Sequence, residues 1–197
     1  MYPKKFEDLI QAYSKLPGVG RKTAERYAFT TLNWDEEWIN EFITSLSSIK
    51  DGIKRCEVCG NLSDGDKCEF CMNDTRNHNV ICVVQSPKDI AAIESMQEYN
   101  GVYHVLNGLI NIQKGILPEN LNIQSLVNRI NDDIEEVIIA TDPTVEGETT
   151  ALYITKLLDG RTKVTRLAHG IPMGGHLDYT DAHTLLKEEN NYILSIV

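Results

Sequence analysis

The chain has 197 residues, a formal net charge of −10 and 42% hydrophobic residues, length enough for one large domain or two small ones. No apolar run approaches the ~20 residues a membrane-spanning helix needs, and Met1-Tyr-Pro-Lys-Lys-Phe-Glu7 lacks the apolar core of a signal peptide, so the sequence predicts a cytoplasmic protein with no membrane partner. The acidic total argues against nucleic-acid binding by bulk charge, but the charge is uneven: residues 1–80 hold 11 Lys/Arg against 13 Asp/Glu, and residues 81–197 hold 8 against 16.

Residues 1–53 read as a small all-helical unit. Phe6, Leu9, Ile10 and Tyr13 recur at helical spacing, as do Ile39, Phe42, Ile43, Leu46 and Ile49. Between them Pro17-Gly18-Val19-Gly20 breaks the first helix, and a helical pattern resumes over Arg21–Leu32. Within Ser14–Thr31 the charge balance reverses, because Lys15, Arg21, Lys22 and Arg26 face only Glu25. The stretch Leu16-Pro-Gly-Val-Gly20 followed by Arg21-Lys-Thr-Ala-Glu-Arg26 resembles the helix-hairpin-helix element of many DNA-binding proteins. Gly18 and Gly20 allow a tight turn that presents backbone amides at a helix N-terminus, where partial positive charge favours a phosphate oxygen. Arg21, Lys22 and Arg26 sit beside that end, and Lys22 and Arg26 are four residues apart on one face. Gly18, Gly20, Arg21, Lys22 and Arg26 are therefore the candidate DNA contacts, sequence-independent and salt-sensitive because they touch only the backbone. A plain hairpin with solvated basic residues is the competing reading.

Residues 54–77 are polar and punctuated by cysteine. Cys56-Glu-Val-Cys59 and Cys68-Glu-Phe-Cys71 form a C-x2-C-x8-C-x2-C pattern. Four of the five cysteines within sixteen positions of a cytoplasmic chain point to a metal, not to disulfides. Four thiolates close a tetrahedral zinc site with no open position, so the expected role is structural. An iron–sulfur cluster or four unrelated thiols are the alternatives. Cys82, inside the apolar run Val80–Val84, reads as a small core residue.

From Asn79 the texture changes to short apolar runs at Val80–Val84, Val102–Leu106, Val137–Ala140 and Lys163–Leu167. Helical patterns at Pro87–Gln97, Ile123–Asn131 and Glu146–Leu158 separate several of them. This alternation predicts a mainly parallel, helix-covered sheet over residues 78–170. A further run, Tyr192–Val197, reads as a strand that pairs within the chain or with a neighbour. The fold class expected is thus α+β and multi-domain, with boundaries at 1–53, 54–77, 78–170 and a short C-terminal segment, 171–197, that is a candidate subunit contact.

The turn Ala140-Thr-Asp-Pro-Thr-Val-Glu-Gly-Glu148 places Asp142, Glu146 and Glu148 where a strand gives way to a helix, the edge at which open α/β sheets bind ligands. It looks like the later acidic motif of the Toprim domain, which pairs a Glu after the first strand with an Asp-x-Asp to hold Mg²⁺. Thr144 stands at the second Asp position and Gln85 at the position of the Glu, so two of the three key carboxylates are missing. Neutral Gln85 offers one oxygen and no general base. Helix-capping acids, a partner or DNA contact, and a Mg²⁺ site all stay open for Asp142, Glu146 and Glu148. Catalysis is not expected.

A helix-hairpin-helix, a four-cysteine module and a Toprim-like domain, in this order and within about 200 residues, resemble the bacterial RecR family of recombination mediators. The likeness extends over Gly101–Leu106, Thr141–Ala151 and Arg166–Gly175, and on through Leu177-Asp-Tyr179, Asp181 and Thr184-Leu185. It implies a non-enzymatic role in recombinational DNA repair. It further implies a ring-like tetramer that encircles DNA and, with RecO or RecF, helps load RecA onto single strands coated by single-strand-binding protein. By the same resemblance Lys22 and Arg26 contact DNA, Cys56, Cys59, Cys68 and Cys71 hold zinc, and the acidic turn, Glu146 above all, serves partner binding or DNA loading. The chain departs from the family pattern at Asp142, where Asn is common, at residues 111–116, and in the tail after Leu186. The runner-up reading is a Mg²⁺-dependent Toprim nuclease or primase-type enzyme; a zinc-stabilised scaffold that never touches DNA is the third.

Overall fold

The computed structural model describes residues 2–167; the segment 171–197, with the strand expected at Tyr192–Val197, lies outside the described residues. Two compact units divide between Ile53 and Lys54.

The first unit holds three helices, α1 (Lys4–Ser14), α2 (Arg21–Thr31) and α3 (Glu36–Gly52). The spacing of Phe6 and Ile10 turns both onto one face of α1, where they bury against Ala24 and Ala28 of α2. Small residues on α2 let the two helices approach closely, and Tyr13 adds a hydroxyl contact of 2.7 Å to Thr31. Asp35 caps α3 by accepting from the Trp38 amide at 2.8 Å. Its apolar stripe leaves Phe42, Ile43, Leu46 and Ile49 exposed among the described residues.

In the second unit a two-residue ribbon, β1 (Lys54–Arg55) against β2 (Leu62–Ser63), and a single helical turn, α4 (Glu69–Met72), carry the cysteines. The chain then enters the sheet: β3 (Asn77–Val84), α5 (Pro87–Glu94), β4 (Gly101–Val105), α6 (Ile123–Arg129), β5 (Glu136–Ala140), α7 (Val145–Leu157) and β6 (Lys163–Arg166). All four strands are parallel in the order β4-β3-β5-β6. Alternate residues supply two cores. Ile81, Val83, Val137 and Ile139 pack under Leu126 of α6 and Ile154 of α7. Cys82, Val84, Tyr103 and Ala140 pack with Ile90 of α5 and Phe70 of α4. Because both faces are covered, the strands read as continuous apolar runs.

The chain leaves β3 for β4 on one side and returns to β5 on the other. The C-terminal ends of β3 and β5 therefore flank the point where the strand order reverses, the place where such sheets form a ligand crevice. Gln85 and Asp142 stand there.

Candidate nucleic-acid interface and metal centre

The hairpin between α1 and α2 turns at Leu16–Val19, with the Val19 amide donating to the Leu16 carbonyl at 3.1 Å. Pro17 in the second position and Gly18 in the third, at φ +76°, make this a type II turn, and the positive φ is why glycine is needed there. Gly20 then takes the N-cap position of α2 and offers no side-chain cap. A serine or aspartate would have filled the amide end with its own oxygen. The first intrahelical bond runs from the Ala24 amide to the Gly20 carbonyl at 3.0 Å, so the amides before it point outward. Lys22 and Arg26 flank that end, exposed and without an ion pair among the described residues; Arg26 lies 5.7 Å from the Tyr27 ring centroid.

Arg21 departs from its expected role. Its guanidinium forks onto Glu7 of α1 at 2.7 and 3.1 Å and reaches Glu25 at 3.2 Å. The Glu7 hydrogen bond raises Arg21 above the ordinary guanidinium range and holds Glu7 below the usual carboxylate range. Arg21 braces the two helices, while Lys15, Lys22 and Arg26 stay exposed and without an ion pair among the described residues.

The cysteine quartet converges. The sulfurs of Cys56, Cys59, Cys68 and Cys71 all lie within 4.8 Å of one another, and Cys59 Sγ is 3.4 Å from Cys68 Sγ. Tetrahedral Zn–S bonds of ~2.3 Å place sulfurs ~3.8 Å apart, so the set fits zinc. The ribbon turn makes the first half of the site: the Gly60 amide donates to the Cys56 carbonyl at 2.9 Å and the Cys56 amide to the Asn61 carbonyl at 2.8 Å. Cys68 opens α4, with the Cys71 amide donating to its carbonyl at 3.1 Å. Hydrogen bonding within the cluster pushes the Cys68 thiol down and the Cys59 thiol up, whereas a bound metal takes each ligand as its thiolate. Zinc bound by these four residues supplies a cross-link for a segment whose own core is the quartet with Val58 and Phe70. Cys82 sits in the sheet core, its thiol pushed up to about 12 by burial.

This module is not free-standing. The Cys59 carbonyl accepts from the Val105 amide at 2.7 Å, which places the ribbon turn along the outer side of β4. An edge strand leaves backbone groups unpaired, and here each outward group of β4 that bonds does so to a different cover. Arg76 donates to Gly101 O at 2.9 Å, Arg129 to Tyr103 O at 2.7 Å and Asn122 Nδ2 to Val105 O at 3.0 Å. Arg76 also stacks 4.8 Å from the Phe70 ring and pairs with Glu94 at 2.6 Å. His104, fully buried, contacts Asn122 O through Nε2 at 2.7 Å and Arg129 through Nδ1 at 3.2 Å. A carbonyl only accepts and a guanidinium only donates, so Nε2 carries the proton and Nδ1 is bare. Burial drives His104 down to about 4, and it stays neutral. Desolvation likewise lowers Arg129, opposed by the negative quartet, Cys71 first.

At the crevice the three carboxylates separate. Gln85 Nε2 donates to Asp142, and the Asp142 amide returns to Gln85 Oε1 at 3.5 Å. Glu146 accepts from Asn111 Nδ2 at 3.0 Å. Glu148 takes both guanidinium nitrogens of Arg166, at 2.5 and 3.1 Å. The three lie on one turn of sequence but take different partners, Glu148 reaching Arg166 of β6 and Asp142 reaching Gln85. The cap of α7 is Thr144, which accepts from the Gly147 amide at 3.1 Å. Among the described residues the cysteine quartet is the one group of three or more His, Cys, Asp or Glu placed to share an ion. The cleft itself, about 540 Å³, is lined by Asp142 and Glu146 together with Arg55, Asn107, Asn111 and Lys114. Sequence reasoning missed those last four. Arg55 beside a cysteine and Asn107 in a loop carry no periodic signal, whereas His104 inside an apolar strand was a visible clue.

A turn that opens helix amides, four converging thiols and a parallel sheet with a crevice at its reversal point define a modular nucleic-acid-associated protein with a helix-hairpin-helix, a four-cysteine zinc finger and a Toprim domain. Comparison with protein families agrees segment by segment. Residues 6–49 match the RecR helix-hairpin-helix model, 53–73 the RecR four-cysteine zinc finger domain, 79–168 the Toprim domain and 170–187 the RecR C-terminal model. The chain belongs to the RecR family, whose members are non-enzymatic recombination mediators in DNA repair. Its zinc is structural. No helix among the described residues is long and apolar enough to cross a membrane.

Proposed function

We propose that the chain acts as a DNA clamp in recombinational repair. Several copies, four in a closed ring, present their hairpins to one nucleic acid, and with RecO or RecF the assembly helps RecA replace single-strand-binding protein. The observation that carries this reading is the open amide end of α2 beside the unpaired Lys22 and Arg26. One such end on an acidic chain is a weak site, and several held around one strand raise the effective concentration without new contacts. Gly18 and Gly20 shape the end, Lys22 and Arg26 meet phosphates, and Arg21 keeps the helices in register. The domain limits we assign are 1–53, 54–77, 78–170 and 171–197.

The acidic cleft serves partner contact, not bond cleavage. Asp142 is held by Gln85, Glu146 by Asn111 and Glu148 by Arg166, and of the three Asp142 and Glu146 line the cleft. The competing nuclease reading needs carboxylates facing one another across a metal, and Gln85 supplies an amide there. Light scattering with and without a short duplex, followed by incubation of labelled DNA with Mg²⁺ or Mn²⁺, tests both parts. A tetramer that binds DNA and leaves it intact is expected. A monomer that ignores DNA at low salt sinks the clamp, and cleavage abolished by Asp142→Asn sinks the non-catalytic reading.

A further inference from the structure

The zinc module and the cleft meet at one residue. Gly60 has φ +74°, and a Cβ placed there lies 2.4 Å from Asn122 Nδ2 and 3.0 Å from Val105 O. The ribbon turn thus lies so close to the end of β4 that a Cβ at Gly60 would have to displace the Asn122 side chain. The Gly60 carbonyl accepts from Arg55 Nη1 and from Asn107 Nδ2, each at 3.4 Å, and both of these side chains line the cleft. Beyond Asn107 the path continues. The Gly108 amide donates to the Gln85 carbonyl at 3.0 Å, and the Gln85 side chain holds Asp142. Three hydrogen bonds, linked through the chain at Asn107-Gly108 and through Gln85 itself, join the metal-binding turn to the acid at the switch point of the sheet.

We propose that the zinc turn shapes the Toprim cleft through Gly60, its positioning residue: zinc, by fixing Cys56 and Cys59, fixes where the Gly60 carbonyl holds Arg55 and Asn107, two side chains that line the cleft with Asp142. The metal then governs the shape of a site that none of its ligands touches. The inference stands apart from DNA binding, since it uses no residue of the hairpin.

Physical coupling along such a path must be demonstrated, not assumed from adjacency. Hydrogen–deuterium exchange on the full chain, read amide by amide, supplies the test, comparing the zinc-loaded protein with protein stripped by a chelator under reducing conditions. Loss of one hydrogen bond worth about 1 kcal/mol speeds opening by about fivefold. Exchange at residues 105–108 is expected to rise by about five- to tenfold together with residues 54–63, while Glu136–Ala140 keeps its protection. Unchanged exchange at 105–108 overturns the proposal. So does loss of protection at Glu136–Ala140, because zinc would then hold up the whole sheet and not the cleft alone.

Gly60→Ala tests the positioning role with all four cysteines present. Retained zinc with the same acceleration at 105–108 is expected, and native-like exchange in the zinc-loaded variant refutes it. Should that variant fail to fold, Asn107→Gly decides: it removes the amide but keeps the left-handed backbone that Asn107 adopts at φ +61°. Faster exchange at Gly108 with unchanged zinc content supports the coupling, and unchanged exchange overturns it.

Discussion

Replacing both Lys22 and Arg26 with alanine probes the hairpin directly. Each phosphate contact contributes about 0.9 to the slope of log affinity against log salt on duplex DNA, and about 0.7 on single strands. Two lost contacts per engaged subunit should flatten the slope by about 1.8 or about 1.4. Over the fourfold rise from about 50 to about 200 mM salt, the native protein then loses about 12-fold more affinity on duplex, and about 7-fold more on single strands, than the variant does. If several hairpins grip one molecule, the change is a multiple of that value, so the slope also counts engaged subunits. Arg21→Ala is the decisive control, because its guanidinium is already met by Glu7 and Glu25 and releases no counterions on binding. Fluorescence polarisation with labelled oligonucleotides across a salt series measures all three proteins, with zinc content and circular dichroism confirming the fold. An unchanged slope in the double variant, or an equal loss in Arg21→Ala, refutes the assignment.

Acid should weaken the fold through His104. Its folded pKa of about 4 lies below the ordinary value of 6.5, so the unfolded chain binds the extra proton. Stability is full above about pH 6.5 and falls by roughly 3 kcal/mol as pH drops toward 4. Denaturant titrations across that range should show the slope, and His104→Gln, which keeps one donor and one acceptor, should remove that component; an identical pH profile in the variant speaks against it. Gln85→Glu sets two carboxylates together at the ends of β3 and β5, so millimolar Mg²⁺ should raise the melting temperature of the variant and leave the native protein unmoved; a native response to Mg²⁺ would show that the amide–carboxylate pair is not self-sufficient. Gly147→Ala places a Cβ 2.0 Å from the Asp142 carbonyl, so calorimetry should find a loss of about 1–3 kcal/mol, and an unchanged melting temperature would mean that α7 is free to shift.

Local chemistry explains which features the sequence disclosed. The strands from Val80, Val102, Val137 and Lys163 announce themselves because helices cover both sheet faces and leave little need for polar residues. The cysteine spacing is readable because a single ion dictates it. What escaped was set by distant pairs. Nothing near Arg21 separates a helix brace from a phosphate contact until α1 brings Glu7 within 2.7 Å. Glu148 sits on the same turn of sequence as Asp142, and nothing local says that it pairs with Arg166 of β6. Residues 107–122 carry no periodic pattern, yet Asn111 organises part of this loop by capping Lys114 at 2.9 Å and holding Glu146. The stripe on α3 was visible, and its periodicity could not say that it faces outward among the described residues.

The cover over the outer side of β4 has a cost when it fails. Should the metal be lost, the Val105 amide loses its acceptor and a five-residue strand, buried along its whole length in the native fold, opens at its C-terminal end, while Arg76, Arg129 and Asn122 still cover the carbonyls of Gly101, Tyr103 and Val105. Such a ribbon invites the same strand of another molecule to add to it. Zinc would then guard this protein against self-templated aggregation as much as against unfolding, and turbidity after chelation should follow protein concentration more steeply than first order.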